Sequence, residues 1–162
     1  MESPGPVPSA CAGPLVRNDP RASDLDPWTH RYEWRLPAVE SSLLPLRREL
    51  SALLCTSELS EDECYDLLLS VSEAASNALE HAQAPREPYF DVVAWVDEAT
   101  VTVTVQDHGR WLAPTAGGFR GRGLQMMHAL TDTSVATGDD GTTVTIRKMS
   151  APQSIQRTGR AS

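Results

Sequence analysis

The sequence predicts an α/β fold, an α+β two-layer sandwich in which helices cover one face of a mixed, largely antiparallel sheet. Two apolar patterns indicate it: a spacing of two, typical of half-buried strands, and a spacing of three to four, typical of amphipathic helices. The third observation is the predicted order, β-α-α-β-β-α-β-β, in which most strands follow one another directly. Strands and helices segregated in this way favour a sheet with a helical layer on one side.

The first half of the domain is predicted to hold one strand and two helices. Apolar and polar residues alternate over 28–36, which indicates a strand. Residues 42–55 have the apolar spacing of a helix, and a second helix is predicted over 61–82. A capping box marks its start, because the Ser60 hydroxyl and the Glu63 carboxylate can each accept a hydrogen bond from the other residue's backbone N–H.

The second half is predicted to hold two hairpins separated by a loop and a helix. Segments 89–96 and 100–106 are rich in β-branched and aromatic residues and form the first hairpin. A loop is predicted over 111–120 and a third helix over 122–131. The strands of the second hairpin are predicted at 133–138 and 142–148.

Composition and charge limit the class of protein. Of the 162 residues, 40% are hydrophobic and 22% are charged, which is typical of globular chains. The 14 Lys and Arg residues against 22 Asp and Glu leave a net charge of −8, which argues against a nucleic-acid or anionic-membrane binder. No run approaches the roughly 18 apolar residues of a membrane span, and the three cysteines form no CxxC pair. We therefore expect a soluble, reduced, cytoplasmic chain.

Both ends of the chain differ from the middle in composition. Six of the 12 prolines lie within residues 1–27, among few bulky apolar side chains. Such a segment cannot bury enough apolar surface to offset the entropy lost on ordering, which predicts a disordered arm. Residues 149–162 have a similar composition and are predicted to form a disordered tail. The folded domain is therefore predicted at 28–148.

Three polar side chains are predicted to share one face of the second helix. Glu73, Asn77 and His81 are four residues apart, so their carboxylate, amide and imidazole project into the same space. A solvated helix edge would also explain this stripe, but the neighbouring alanines favour a surface that a ligand approaches closely. The core face of this helix is predicted to hold Leu67, Val71, Ala74, Ala75, Ala78 and Ala82.

Three later segments are further candidates for a site. Asp107 and Gly109 follow a strand; this pattern is typical of a turn, or it offers an acceptor for the exocyclic amine of a base. The segment 121–124, Gly-Arg-Gly-Leu, opens the third helix. Its backbone amides could bind phosphate at the positive end of the helix, or the segment could be a simple helix cap. Thr142 has the strand parity of Val144, so its hydroxyl is expected on the core side, as a satisfied core group or as a ligand contact.

The order of these motifs resembles the GHKL (Bergerat) ATP-binding fold, which histidine kinases and gyrase B share. The resemblance covers about 28–148, nearly the whole predicted domain. Within the superfamily, the chain is similar to the anti-sigma factor serine kinases, since it is short and its second helix reads Glu-Ala-x-x-Asn-Ala-x-x-His-Ala.

The resemblance implies roles for six residues around ATP and Mg²⁺. Asn77 would be the protein ligand to Mg²⁺, and Glu73 would be the general base that orients or deprotonates the attacking hydroxyl. Asp107 would receive the adenine amine, with Gly109 beneath the ring and Thr142 assisting through its hydroxyl or a water. His81 is also expected to contact the nucleotide.

The resemblance also implies a lid over the nucleotide, formed by 111–120. Three residues would place backbone amides against the phosphates: Gly121, Gly123 and Leu124. Two arginines could neutralise phosphate charge, or be solvated: Arg120 and Arg122. Trp111 stands where the superfamily often has a second glycine, so the lid geometry is expected to differ, and Trp111 is expected either to pack on the nucleotide or to anchor the lid.

The resemblance implies an anti-sigma factor with serine/threonine kinase activity. It would sequester a sigma factor and phosphorylate an anti-anti-sigma (STAS-type) protein, and it could form a homodimer. The alternative is an ATP-binding regulatory module that transfers no phosphate and works with a PP2C-type phosphatase system. Neither reading involves direct contact with nucleic acid or a membrane.

Overall fold

Within the part of the chain that the structure describes, three helices lie on one side of a five-stranded sheet. The structure is a computed structural model. It describes residues 30–83, 87–97, 99–111 and 122–151, with the backbone alone at 81–83 and 110–111. The predicted arm, most of the predicted tail and the Trp28 end of the first strand lie outside these ranges, so the predicted domain limits stay predictions.

The three helices and the five strands of the large sheet agree with the predicted ones to within a few residues at each end, whereas β2 and β5 below have no predicted counterpart. A short 3₁₀ turn, Glu40–Ser42, precedes the first helix. The strands are β1 His30–Pro37, β2 Ala82–Gln83, β3 Tyr89–Val96, β4 Thr100–Gln106, β5 Arg110–Trp111, β6 Asp132–Gly138 and β7 Gly141–Met149. The helices are α1 Leu43–Leu54, α2 Glu61–His81 and α3 Arg122–Leu130.

The large sheet has the strand order β1-β3-β4-β7-β6, and all four of its described pairings are antiparallel. The described pairings thus confirm the prediction of a largely antiparallel sheet. The helical hairpin of α1 and α2 explains why β1 and β3 are antiparallel. Two helices in succession return the chain to the end of the sheet where β1 finished, so β3 starts there and runs in the opposite direction. The tight connections of β3 to β4 and of β6 to β7 give antiparallel neighbours directly.

The hydrophobic core lies between the sheet and the helices. Strands β3 and β4 bury every second residue, and Val92, Ala94 and Val103 have no exposed surface. Five residues of the predicted core face of α2 are buried: Leu67, Val71, Ala74, Ala75 and Ala78. The side chain of Ala82 lies outside the described part of the chain. The period-two and helical patterns therefore predicted the buried faces correctly.

The other side of the sheet, called the open face below, carries the residues that alternate with the buried ones. Asp91 on β3 and Thr104 on β4 belong to it, and both are partly buried. Arg35 on the edge strand β1 pairs with Asp91 and lies on the same face. Among the described residues, the helices pack on the opposite side.

The predicted capping box forms at the start of α2. The Ser60 amide donates to Glu63 Oε2 at 2.8 Å, and the Glu63 amide donates to Ser60 Oγ at 3.3 Å. Glu63 Oε1 also accepts from the Ala151 amide at 2.7 Å. The first described residues of the predicted tail therefore pack against α2. No helix in the described ranges is both long and apolar enough to cross a membrane.

Candidate functional site

Helix α2 carries the first two candidate residues. Glu73 and Asn77 lie one turn apart and are partly buried, beside the fully buried Ala74 and Ala75. Within the described part of the chain, neither side chain has a hydrogen-bond partner, so both polar groups remain available to a ligand. His81 is the last residue of α2, and its side chain is outside the described part.

The first turn of α3 packs against Glu73. Helix α3 begins at Arg122, and a Cβ atom at Gly123 would overlap Oε1 of Glu73. Glycine at this position therefore leaves room for the carboxylate. Helix α3 has no acidic residue in its own first turn, so Glu73 supplies a negative charge beside the positive end of the helix. The fold thus joins the predicted general base to the predicted phosphate-binding turn.

The remaining phosphate candidates are only partly described. Leu124 is partly buried against the core, and Arg122 is exposed. Arg120 and Gly121 lie outside the described residues, as does the predicted lid after Trp111.

Asp107 is buried directly after β4, and its carboxylate is held by backbone amides. Oδ1 accepts from the Gly109 amide at 3.0 Å and from the Thr142 amide at 3.2 Å, while the Asp107 amide donates to the Thr142 carbonyl at 3.0 Å. The bond to Gly109 is an Asx turn, so the turn reading of this motif describes its geometry correctly. Oδ2 has no hydrogen-bond partner among the described residues, so the turn and a ligand-binding role are compatible.

Thr142 lies beside this carboxylate with a buried hydroxyl that has no partner. The residue is 3% exposed, on the core side as predicted, and no described group hydrogen-bonds to Oγ1. Leaving such a group unpaired costs about 1–3 kcal/mol. The neighbouring Gly141 has φ +128°, and a Cβ there would overlap the carbonyl oxygen of Asp107. Glycine therefore lets the start of β7 reach the Asp107 turn.

An unpredicted two-stranded pairing joins this turn to the end of α2. Ala82 pairs with Trp111, and Gln83 pairs with Arg110. Since β2 continues α2 and β5 follows Gly109, the pairing places the carboxyl end of α2 next to the Asp107 turn. Trp111 was predicted to open the lid loop, and instead its backbone is part of a strand. Its side chain is not described.

These residues fit a purine nucleotide by their chemistry. An exocyclic amine donates a hydrogen bond, which Asp107 Oδ2 can accept, and ring nitrogens accept one, which the Thr142 hydroxyl can donate. Asn77 offers one amide oxygen, and Mg²⁺ in nucleotide sites takes few protein oxygens and leaves the rest to phosphates and waters. In the described ranges, no group of three or more His, Cys, Asp or Glu residues is arranged to hold a metal.

Sequence reasoning missed a polar cluster on the open face. The Asp91 carboxylate accepts hydrogen bonds from Arg35 on β1 and makes a 2.9 Å contact with Nε2 of His108. The signal that could have found it is the lone Asp at an outward position of an otherwise apolar strand. His108 itself stands inside the motif between Asp107 and Gly109.

Comparisons with known proteins show the family of the chain. A family model described as the histidine kinase-like ATPase domain matches residues 36–148. This match covers most of the chain and defines the class, an ATPase domain of the GHKL type. The chain belongs to the histidine kinase-like ATPase domain family, and membership implies an ATP site. No curated protein gives a significant match.

Two of the solved structures that resemble the chain illustrate the likeness. One, from Mycobacterium tuberculosis, is described as the RsbU and RsbW domains of Rv1364c; it has a TM-score of 0.61 and 24% identity over 75% of this chain. The other, a blue-light activated histidine kinase (EL346) from Erythrobacter litoralis, has a TM-score of 0.44 and 22% identity over 72% of this chain. The alignments span only 33% and 43% of those proteins, respectively. The first shows that the two share a fold.

Proposed function

We propose that this protein is a cytoplasmic, Mg²⁺- and ATP-dependent serine/threonine kinase that acts as an anti-sigma factor. It would sequester a sigma factor and phosphorylate an anti-anti-sigma protein. Family membership supports the ATP part of this proposal. The motif of α2, with its glutamate, asparagine and histidine at one-turn spacing, supports the kinase part.

The observation that carries the proposal is the position of Glu73. Its carboxylate lies against Gly123 in the first turn of α3, and Asn77 follows one helical turn later. A carboxylate beside the first turn of a helix, with an amide oxygen on the same face of α2, suits phosphoryl transfer to a hydroxyl. Phosphoryl transfer depends mainly on positioning and charge stabilisation, so few side chains are needed.

Each described residue has one task in this proposal. Asp107 accepts the adenine amine through Oδ2, and the Thr142 hydroxyl donates to the ring. The amides at the start of α3, at Gly123 and Leu124, face the phosphates. Glu73 orients the substrate hydroxyl and takes its proton. When bound, ATP supplies the phosphoryl group, and Mg²⁺, held in part by Asn77, neutralises phosphate charge.

The test is transfer of radiolabel from ATP to a candidate anti-anti-sigma protein. Glu73→Gln keeps the shape of the side chain and removes its basicity, so transfer is expected to fall about 100-fold or more. ATP binding is expected to change little. The matched control is Glu61→Gln, an exposed change on the same helix, about 18 Å away at 1.5 Å per residue. Equal transfer by the wild type and Glu73→Gln would remove Glu73 from this role.

The same assay decides the second candidate function. A regulatory module without phosphotransfer would bind ATP and transfer no label to any partner. Trp111, at the position of the usual second glycine, favours this candidate because it changes the start of the lid. Tight ATP binding by the wild type without transfer would support it over the kinase.

A further inference from the structure

Three residues from three elements form one connected cluster on the open face. Arg35 of β1 donates to Asp91 of β3 through Nε at 2.8 Å and through Nη2 at 3.3 Å, one bond to each carboxylate oxygen. His108, in the turn after β4, contacts Asp91 Oδ2 through Nε2 at 2.9 Å. Asp91 therefore bridges the edge strand of the sheet and the turn that carries Asp107.

The cluster is packed as well as hydrogen-bonded. The edge of the Tyr89 ring meets the His108 ring, with the ring centres 5.0 Å apart at 70°. The Arg35 guanidinium lies over the same tyrosine, 4.1 Å from its centre. The His108 side chain is only 18% exposed, whereas that of Arg35 is 63% exposed. His108 is thus held in place by both Asp91 and Tyr89.

The charge on Asp91 strengthens these contacts. Partial burial alone would raise the pKa of Asp91, but hydrogen bonds from Arg35 and His108 outweigh it and hold the pKa below its ordinary value. Asp91 is therefore ionised at neutral pH. Hydrogen bonds to an ionised acceptor are about twice as strong as those between neutral groups.

The turn after β4 is consequently fixed from both sides of the sheet. On the core side, Asp107 Oδ1 accepts from the amides of Gly109 and Thr142. On the open side, the next residue, His108, is fixed by Asp91. Because Oδ1 is already occupied, the direction in which Oδ2 points depends on the orientation of the turn.

We infer that His108 is a positioning residue for adenine recognition, held by Asp91 and Arg35 so that Asp107 Oδ2 faces the exocyclic amine. This inference rests on the proposed ATP site at Asp107. It assigns a role in nucleotide selectivity to a cluster on the opposite side of the sheet from the nucleotide. Loss of the His108–Asp91 contact frees the middle of the turn, and the hydrogen bond to the amine weakens first.

The test compares binding of ATP and of inosine triphosphate, which lacks the exocyclic amine, to the full-length chain. His108→Leu removes the contact with Asp91, and His108→Gln keeps a side-chain N–H that can donate to it. We expect His108→Leu to weaken ATP binding about 5-fold and inosine triphosphate binding less than about 2-fold, the range for one hydrogen bond. His108→Gln is expected to restore most of the ATP affinity.

Two further variants complete the design. Asp91→Asn removes the charge from the other side of the contact and should lower affinity for ATP more than affinity for inosine triphosphate. This variant tests the same contact if His108→Leu does not fold. Thr104→Val is the control on the same open face of β4 and should change neither affinity. Urea unfolding without nucleotide checks that the variants are folded.

The outcomes distinguish the positioning role of His108 from the binding of adenine by Asp107. Equal losses for both nucleotides, or failure of His108→Gln to restore ATP binding, would overturn the positioning role and leave the ATP site intact. Wild-type protein that binds the two nucleotides equally well would overturn the assignment of Asp107 to adenine, and this inference with it.

Discussion

Replacing Thr142 by valine should change stability and ATP affinity in opposite directions. Valine has nearly the shape of threonine, and the Thr142 hydroxyl is buried with no partner among the described residues. Removing a buried unpaired hydroxyl relieves a desolvation penalty of about 1–3 kcal/mol. We take the lower end, about 1 kcal/mol, as the expected gain in the free energy of unfolding. The variant keeps the backbone hydrogen bonds between Thr142 and Asp107, so no loss from these bonds offsets the gain.

Nucleotide binding should weaken in the same variant. If the hydroxyl donates to the purine ring, its loss removes one neutral hydrogen bond, worth about 1 kcal/mol, or about 5-fold in affinity. In urea, a gain of about 1 kcal/mol at a slope of about 2 kcal/mol per molar raises the unfolding midpoint by about 0.5 M. Calorimetric titration with ATP and urea unfolding without nucleotide measure the two effects.

Thr133→Val is the matched control. Thr133 is also buried, but its hydroxyl is paired with that of Thr131 at 3.0 Å. The same substitution there should lower the free energy of unfolding by about 1 kcal/mol and leave ATP affinity unchanged. Destabilisation of Thr142→Val as large as that of Thr133→Val, or ATP binding as tight as in the wild type, would show that the Thr142 hydroxyl is not held unpaired for the nucleotide.

Two further predictions concern the helix starts. Gly123→Ala should lower phosphoryl transfer by about 10-fold or more, since the new Cβ displaces the Glu73 carboxylate. The free energy of unfolding in urea should stay unchanged or rise by up to about 1 kcal/mol, because alanine favours the helix more than glycine does. Transfer at the wild-type rate would refute the contact between Gly123 and Glu73. At the start of α2, hydrogen bonds from the backbone of Ser60 and then of Ala151 lower the pKa of Glu63. Because the pKa of Glu63 is lowered in the folded state, its carboxylate stabilises the fold fully at pH values above the ordinary pKa of 4.5. This stabilisation is lost as the pH falls through the folded-state pKa. Glu63→Gln should therefore be less stable than the wild type at neutral pH and equal to it in acid, as measured by urea unfolding at several pH values; a constant difference would contradict the assignment.

Local patterns predicted the elements well, because each pattern reflects how one segment buries one face. The alternation in β3 and β4 gave the buried face of the sheet, and the helical spacing in α2 gave its core residues. The capping box placed the start of α2, since its two bonds join residues three positions apart. The spacing of Glu73 and Asn77 likewise gave their shared helix face.

Contacts between distant segments could not be predicted in this way. Gly123 packs against Glu73, and Ala82 pairs with Trp111, although nothing in the sequence near either position indicates the partner. The Asp91–His108 contact depends on the register of β3 with β4 and on the turn that follows.

The sequence by itself determined the type of the three helices and of the five strands of the large sheet, the buried faces of β3, β4 and α2, and the residue types available for nucleotide chemistry. Only the tertiary structure decided which of them meet: Asp107 with Thr142 and Gly141, Glu73 with α3, and His108 with Asp91 and Arg35. The physical reason is that hydrophobic periodicity acts within one segment, over a few residues. Strand order, register and helix packing, by contrast, are chosen by the burial of the whole core, to which every segment contributes.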